Sequence, residues 1–286
     1  SVLEPLKQLQ QQGRQVVLLD ADADGLVDLE GASRQIEQLD PVLLSIIYAN
    51  NETGVIQPVS ELMAMVDGQR CLRHSDATQV VGKLPINLQQ MELDAISFSG
   101  HKLQGPQGIG ALVVKRKPSR PLISGGEQES GSRAGTENVA MIVGLGKAAQ
   151  IARLEMEQKQ HHLLQMRTVL ESKLKAIAGI EVFGMNAPRL PNTTYFALPY
   201  YHGETLLMEL DKAGFALSSG SACHSEVTRP SHVLKAMGVE DSLALNAIRV
   251  SFGYTNTLQD VDQLVERLHQ LVASGSGIRE NQWESN

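Results

Sequence analysis

Apolar runs too continuous for a half-buried strand alternate with helix-like segments along most of the chain, and this alternation limits what it can fold into. Residues 42–49 read VLLSIIYA, apolar on both faces of an extended segment. Such a strand has to be covered on both sides, which is the condition of a mostly parallel sheet with helices packed above and below it. A turn and an amphipathic helix over 25–40 precede this strand, and Pro58 opens another helix running to about residue 67. Further strands are expected at 15–19, 70–75, 94–98 and 109–115, and an opening helix to Gln12 ends at Gly13. Residues 139–177 are rich in Leu, Ala, Glu and Gln and predict a helix long enough to connect two domains. Beyond it, strands at 180–183, 193–198, 216–218 and 247–252 are interleaved with helices at 203–213 and 258–272, ahead of a polar tail. The reading is an α/β chain with a large domain over 1–152 and a smaller α+β domain over 153–286.

Composition narrows the function classes. A chain of 286 residues with 42% apolar and 20% charged residues can bury a sizeable core and is not disordered. Its net charge of -7 argues against a nucleic-acid or anionic-membrane binder, for which basic patches are expected. Neither a bilayer-length apolar run nor a signal peptide is visible, so a cytoplasmic protein is expected. The two cysteines, Cys71 and Cys223, make neither a disulfide framework nor a metal cluster, and no metal is expected. Cys71, among strand-like neighbours, reads as a small buried hydrophobe.

The chemistry gathers in residues 74–110. Asp76 closes one expected strand, and Lys102 follows the next after the small turn Ser99-Gly100-His101. In layered α/β sheets ligands collect where strands end, so both side chains would meet a ligand there. A nucleophilic lysine sits where it is partly desolvated or beside positive charge; Lys102 lies between Gly100 and Gly105 with His101 next to it. With a bound carbonyl cofactor it would form a Schiff base, and Asp76 would keep a pyridine nitrogen protonated. Gln79 could bond a ring hydroxyl, and Ser99 and His101 could donate to a phosphate. Taken singly, each has an ordinary reading: a solvated lysine, an Asp helix cap, a satisfied histidine.

Taken together, HSDATQ, SFSGHK and GPQGIGAL closely resemble the pyridoxal-phosphate core of the NifS/IscS-type cysteine desulfurases, in class V of the aminotransferases. The resemblance implies the fold type I architecture of pyridoxal-phosphate-dependent transferases. It makes Lys102 the aldimine lysine, Asp76 the pyridinium partner, Gln79 the ring-oxygen contact, and Ser99 and His101 phosphate ligands. The corner NNETG resembles the family's substrate-side loop, which makes Asn51 a cofactor or substrate contact; the alternative is an Asn-rich turn. GGEQESGSRAGTEN, residues 125–138, resembles the segment whose threonine reaches the partner subunit's cofactor phosphate, implying a ligand role for Thr136 and a homodimer. By composition alone this segment is a glycine-rich surface loop.

A second element carries a thiol. SSGSACHS, residues 218–225, sets Cys223 among small polar residues that offer nothing to bury it, where an exposed thiol can hold some thiolate. With PSHVL at 230–234, it resembles group I desulfurases, whose loop cysteine takes sulfur from the substrate; Cys223 is then the nucleophile and persulfide carrier. His224 departs from the small hydroxyl residue often found after that cysteine, and either tunes the thiol or is incidental. Arg249 resembles the arginine that grips the substrate carboxylate, the alternative being an ordinary strand arginine.

The implied activity is removal of sulfur from L-cysteine to give L-alanine, with transfer from the persulfide to an acceptor protein in iron–sulfur cluster, thio-cofactor or thiolated-tRNA synthesis. The resemblance covers about 13–271. Family members carry a further stretch before residue 1, including the start of the small domain and a phosphate loop, so the large domain reads as lacking its first part. The competing readings are a non-catalytic fragment or sulfur-relay scaffold, and a selenocysteine lyase or class V aminotransferase.

Overall fold

A computed structural model describes residues 2–117, 120–198, 201–220 and 229–274. The chain forms two compact units. The first comprises Ser1–Asp20, Val27–Tyr48 and Gln57–Met156, and the second Ala21–Leu26, Ala49–Ile56 and Glu157–Asn286.

The first unit opens with helix α1 (Leu3–Gln11), followed by α2 (Leu29–Leu39). The Asp28 carboxylate caps α2 by accepting from the Glu30 N–H, and Asp40 ends it in the left-handed region. Strand β1 (Leu43–Ile47), helix α3 (Val59–Ala64), and strands β2 (Leu72–Asp76), β3 (Ala95–Ser99) and β4 (Gly110–Val114) follow. They form one sheet in the order β1-β2-β3-β4. The β1–β2 and β2–β3 pairings are parallel, and β4 returns antiparallel at the edge. Ala32 and Ile36 of α2 and Val59, Leu62 and Met63 of α3 pack on Leu44 and Ile46 of β1, burying the apolar face that identified the strand. Cys71 joins this cluster, and burial pushes its thiol pKa up, as suits an inert packing residue.

One expected strand is absent: residues 15–19 enter no ladder, and Val17 and Leu18 stay exposed. A strand is defined by its neighbour, and this segment has the local pattern without a partner among the described residues. The glycine-rich segment holds one irregular turn, α4 (Gln128–Gly131), with Glu129 and Ser130 at positive φ. Helix α5 (Val139–Leu174) belongs to the first unit as far as Met156.

The second unit contains β5 (Glu181–Val182), β6 (Thr193–Ala197), α6 (Gly203–Lys212), β7 (Ser218–Ser219), α7 (His232–Ala236), α8 (Asp241–Leu245), β8 (Ala247–Ser251) and α9 (Leu258–Ser274). Its sheet, ordered β5-β6-β8-β7, is antiparallel throughout. Met166, Leu170 and Leu174 of α5, Phe196 of β6, Ile248 and Val250 of β8, and Val261, Leu264 and Leu268 of α9 make the core. Beside them Glu171 is buried and takes both Arg189 guanidinium nitrogens at 2.7 and 2.8 Å and the Thr194 hydroxyl at 3.0 Å. The fold is thus the expected one, a mostly parallel sheet with helices and a separate antiparallel α+β unit.

Candidate active site

In the first unit the carboxyl edge of the parallel strands carries Asp76 and, just beyond β3, Lys102, two of the expected cofactor residues. Asp76 is the last residue of β2 and stands opposite Ile47 of β1 and Ser97 of β3. Three residues beyond the end of β3, Lys102 lies in a short 3-10 turn, Gly100–Leu103. Adjacent parallel strands therefore deliver a carboxylate and an amine to one edge of one sheet.

The turn that carries Lys102 is closed by backbone bonds. The Gly100 N–H donates to Ile109 O at 2.8 Å, and the Gly105 N–H donates to Gly100 O at 3.0 Å. A Cβ on Gly105 would sit 3.0 Å from both Gly100 O and the Ala148 Cβ, so only glycine closes the turn without displacement. Leu103 points inward and packs with Ala148, Ala152, Val81, Phe98 and Leu145, while Lys102, one residue earlier, is exposed. The buried neighbour fixes the turn and leaves the amine outward.

Around this edge the polar groups are already ordered. Asp76 Oδ1 accepts from the Thr78 N–H at 3.0 Å, and Ser99 Oγ and His101 Nδ1 are 2.7 Å apart. Gln79 Oε1 accepts from Lys83 Nζ at 3.0 Å. His74 bridges three strands, with Nδ1 at 2.8 Å from Ser45 Oγ and Nε2 at 3.1 Å from Ser97 Oγ. Burial lowers the His74 pKa, opposed by the charge of Asp76, so the ring is held neutral beside the carboxylate. Thr136 is exposed, three residues ahead of α5.

The donor set suits pyridoxal phosphate. It offers one amine for a carbonyl carbon, one carboxylate for a ring nitrogen that must stay protonated, and a hydroxyl and an imidazole for a phosphate. Lys102, Asp76, Ser99 and His101 would hold the group.

The second unit places Asn51 and Arg249 together. Asn50 builds the corner: its Oδ1 accepts from the Glu52 N–H at 2.8 Å and the Thr53 N–H at 3.0 Å, an Asx turn. Asn51 is exposed, and its backbone carbonyl accepts from Arg249 Nη1 at 2.9 Å. Arg249 stands in β8 between Tyr195 of β6 and Ser218 of β7. Cys223 and His224 lie outside the described residues.

Glu52 is the residue that sequence reasoning missed. Within a run of polar residues an acid reads as solvated, yet Glu52 is only 3% exposed and Tyr195 beside it is 0% exposed. Burial raises the Glu52 pKa, against the lowering effect of the Ser231 hydrogen bond and of the neighbouring His232, Tyr195 and Arg249. Tyr195 is likewise pushed up, chiefly by burial and by the adjacent Glu52.

Comparisons with known proteins show the family and the fold. Residues 1–264 match the family model described as "Aminotransferase class-V". The chain is 45% identical to a cysteine desulfurase of Gluconacetobacter diazotrophicus, over 91% of this chain and 66% of that protein. It is 38% identical to the cysteine desulfurase IscS of Dictyoglomus turgidum, over 95% of this chain and 69% of that one. Among solved structures a NifS-like protein superposes with a TM-score of 0.87 at 36% identity, covering 96% of this chain and 72% of its own. Another NifS-like protein, from Rickettsia africae, does so with a TM-score of 0.82 at 34% identity, covering 89% and 69%. The chain spans about two thirds of the length of the curated relatives it matches.

Proposed function

The chain belongs to the cysteine desulfurase group of the class V aminotransferases, and from that premise we propose that its protein removes sulfur from L-cysteine, leaving L-alanine and a persulfide on Cys223. The observation that carries the reading is the delivery of Asp76 and Lys102 to one sheet edge from adjacent parallel strands, with Ser99 and His101 beside them.

Pyridoxal phosphate, when bound, supplies an electron sink for the substrate's Cα and Cβ. The chain's own residues do the rest. Lys102 would hold the cofactor through its amine, and that amine would take and return the substrate's Cα proton. Asp76, held at Oδ1 by the Thr78 N–H, would face the ring nitrogen and keep it protonated. Arg249, oriented by the Asn51 carbonyl, receives the substrate carboxylate, for which a planar guanidinium is suited. The Cys223 thiolate attacks the substrate sulfur. As the S–S bond forms, the Cβ–S bond breaks, its electron pair stays on carbon, and a proton completes alanine. The persulfide then passes to an acceptor protein.

The same reading implies a homodimer in which Thr136 faces the partner's cofactor phosphate, and a cytoplasmic setting. Among the described residues no helix is long and apolar enough to cross a membrane. Cys223→Ser tests the assignment. The variant is expected to bind pyridoxal phosphate like the parent and to release no sulfide and form no alanine from L-cysteine. Sustained sulfide release would refute the sulfur-transfer role.

A further inference from the structure

Glu52 has no part in the chemistry described above, yet it is a buried acid within the second unit, surrounded by the residues that bracket the sulfur-accepting segment. Ser231 Oγ donates to Glu52 Oε2 at 2.5 Å, and Ser231 is itself only 3% exposed. The same hydroxyl accepts from the Val233 and Leu234 N–H groups at 3.1 and 3.3 Å, so it starts α7 while bonding the acid. On the other side stands Gly220. A Cβ there would collide with the Tyr195 hydroxyl and come within 2.5 Å of Glu52 Oε2. Its φ is not in the left-handed region, so the reason for glycine at 220 is this close approach, not backbone freedom.

One carboxyl therefore lies against Gly220, the last described residue before the segment that holds Cys223, and is bonded by Ser231, two residues past Arg229 where the described chain resumes. Glu52 also belongs to the Asn50 corner, whose Asn51 carbonyl holds Arg249. An acid buried to this degree is unfavourable unless bonded, so solvation alone gives no reason for it to be here. A geometric reason is available. The acid couples the proposed substrate grip and the two ends of the sulfur-accepting segment through one rigid point, and displacements on the order of 1 Å cost such reactions about two orders of magnitude.

We propose that Glu52 is a positioning residue for the sulfur transfer: its carboxyl, bonded by Ser231 and packed under Gly220 against Tyr195, sets the ends of the Cys223 segment relative to the Asn51–Arg249 contact. The proposal rests on the desulfurase reading given above. It predicts that removing the side chain slows persulfide formation while Lys102, in the first unit, still takes the pyridoxyl label.

The test is single-turnover persulfide formation on Cys223 from L-cysteine, read by alkylation and mass spectrometry. Each value is normalised to the fraction of Lys102 that carries a pyridoxyl label after borohydride reduction. Glu52→Ala is expected to lower the normalised rate at least tenfold with labelling unchanged. Glu52→Gln keeps an oxygen to accept from Ser231 and is expected to stay within about threefold of the parent. A purely structural role would lower labelling and melting temperature together and leave the normalised rate intact, and that result would overturn the proposal. Should Glu52→Ala fail to fold, Ser231→Ala removes the donor alone and is read in the same way. If the parent protein forms no persulfide on Cys223, the desulfurase reading itself fails and takes this inference with it; a normal parent and a normal Glu52→Ala rate refute the inference alone.

Discussion

The Lys102 turn stands on Leu103, and the packing under it can be tested by a double substitution. Leu103 is 9% exposed and lies on Ala148 and Ala152, small neighbours on a helix that cannot close over a gap. Truncating a buried leucine at such a site costs about 3 kcal/mol, within the usual range of about 2–5 kcal/mol. Gly82 faces the same spot from the other side. It sits at φ +80, and a Cβ there would collide with Leu103 Cδ2 and lie 3.1 Å from the Ala152 Cβ. Gly82→Ala alone should therefore cost about 1–2 kcal/mol for left-handed backbone and about a further 1–2 kcal/mol for the collision. In the Leu103→Ala background the collision is gone and the new methyl partly fills the cavity. The double mutant should then be about 2 kcal/mol more stable than the sum of the single losses predicts, well beyond the ~0.5 kcal/mol scatter of independent sites. Equilibrium urea unfolding of the four proteins gives the cycle. Additive losses would show that Gly82 and Leu103 do not share this space and that the lysine turn is supported otherwise.

Two further outcomes follow from groups that lie outside the proposed chemistry. His74 is neutral in the fold because burial lowers its pKa from 6.5; its stabilising contribution is complete above that pH and is lost as the pH falls through 6.5 toward the lowered folded value, since the unfolded chain then binds the proton first. His74→Asn should flatten that part of the stability–pH profile, and an unchanged slope would show that the ring is not held neutral. Glu171→Ala leaves Arg167 and Arg189 without their buried counter-charge and should cost about 3–5 kcal/mol, measured by urea unfolding; a loss below about 1 kcal/mol would show that the arginines are solvated instead.

How much of this could be read in advance depended on whether a feature was local. Strands β1 and β3 and helix α5 were legible because their own residues carry the burial pattern, apolar on both faces or periodic over many turns. Residues 15–19 carry a similar pattern and pair with nothing among the described residues, because pairing belongs to the neighbour as much as to the segment. Helices α7 and α8, five residues each, are shorter than two turns and give no periodicity to find. Lys102 and Asp76 could be placed at strand ends from order alone. Glu52 could not, since its burial is made by Ser231, 179 residues away in the chain, and by Tyr195.

The central claim is that Lys102, set by its turn at the same sheet edge as Asp76, is the residue that would carry pyridoxal phosphate. Borohydride reduction of the protein incubated with the cofactor, followed by peptide mass spectrometry, reads this directly. The account predicts a pyridoxyl group on the peptide bearing Lys102, absent in Lys102→Ala and sharply reduced in Asp76→Ala. Stoichiometric labelling of a different lysine, or labelling of Lys102→Ala equal to that of the parent, would contradict it.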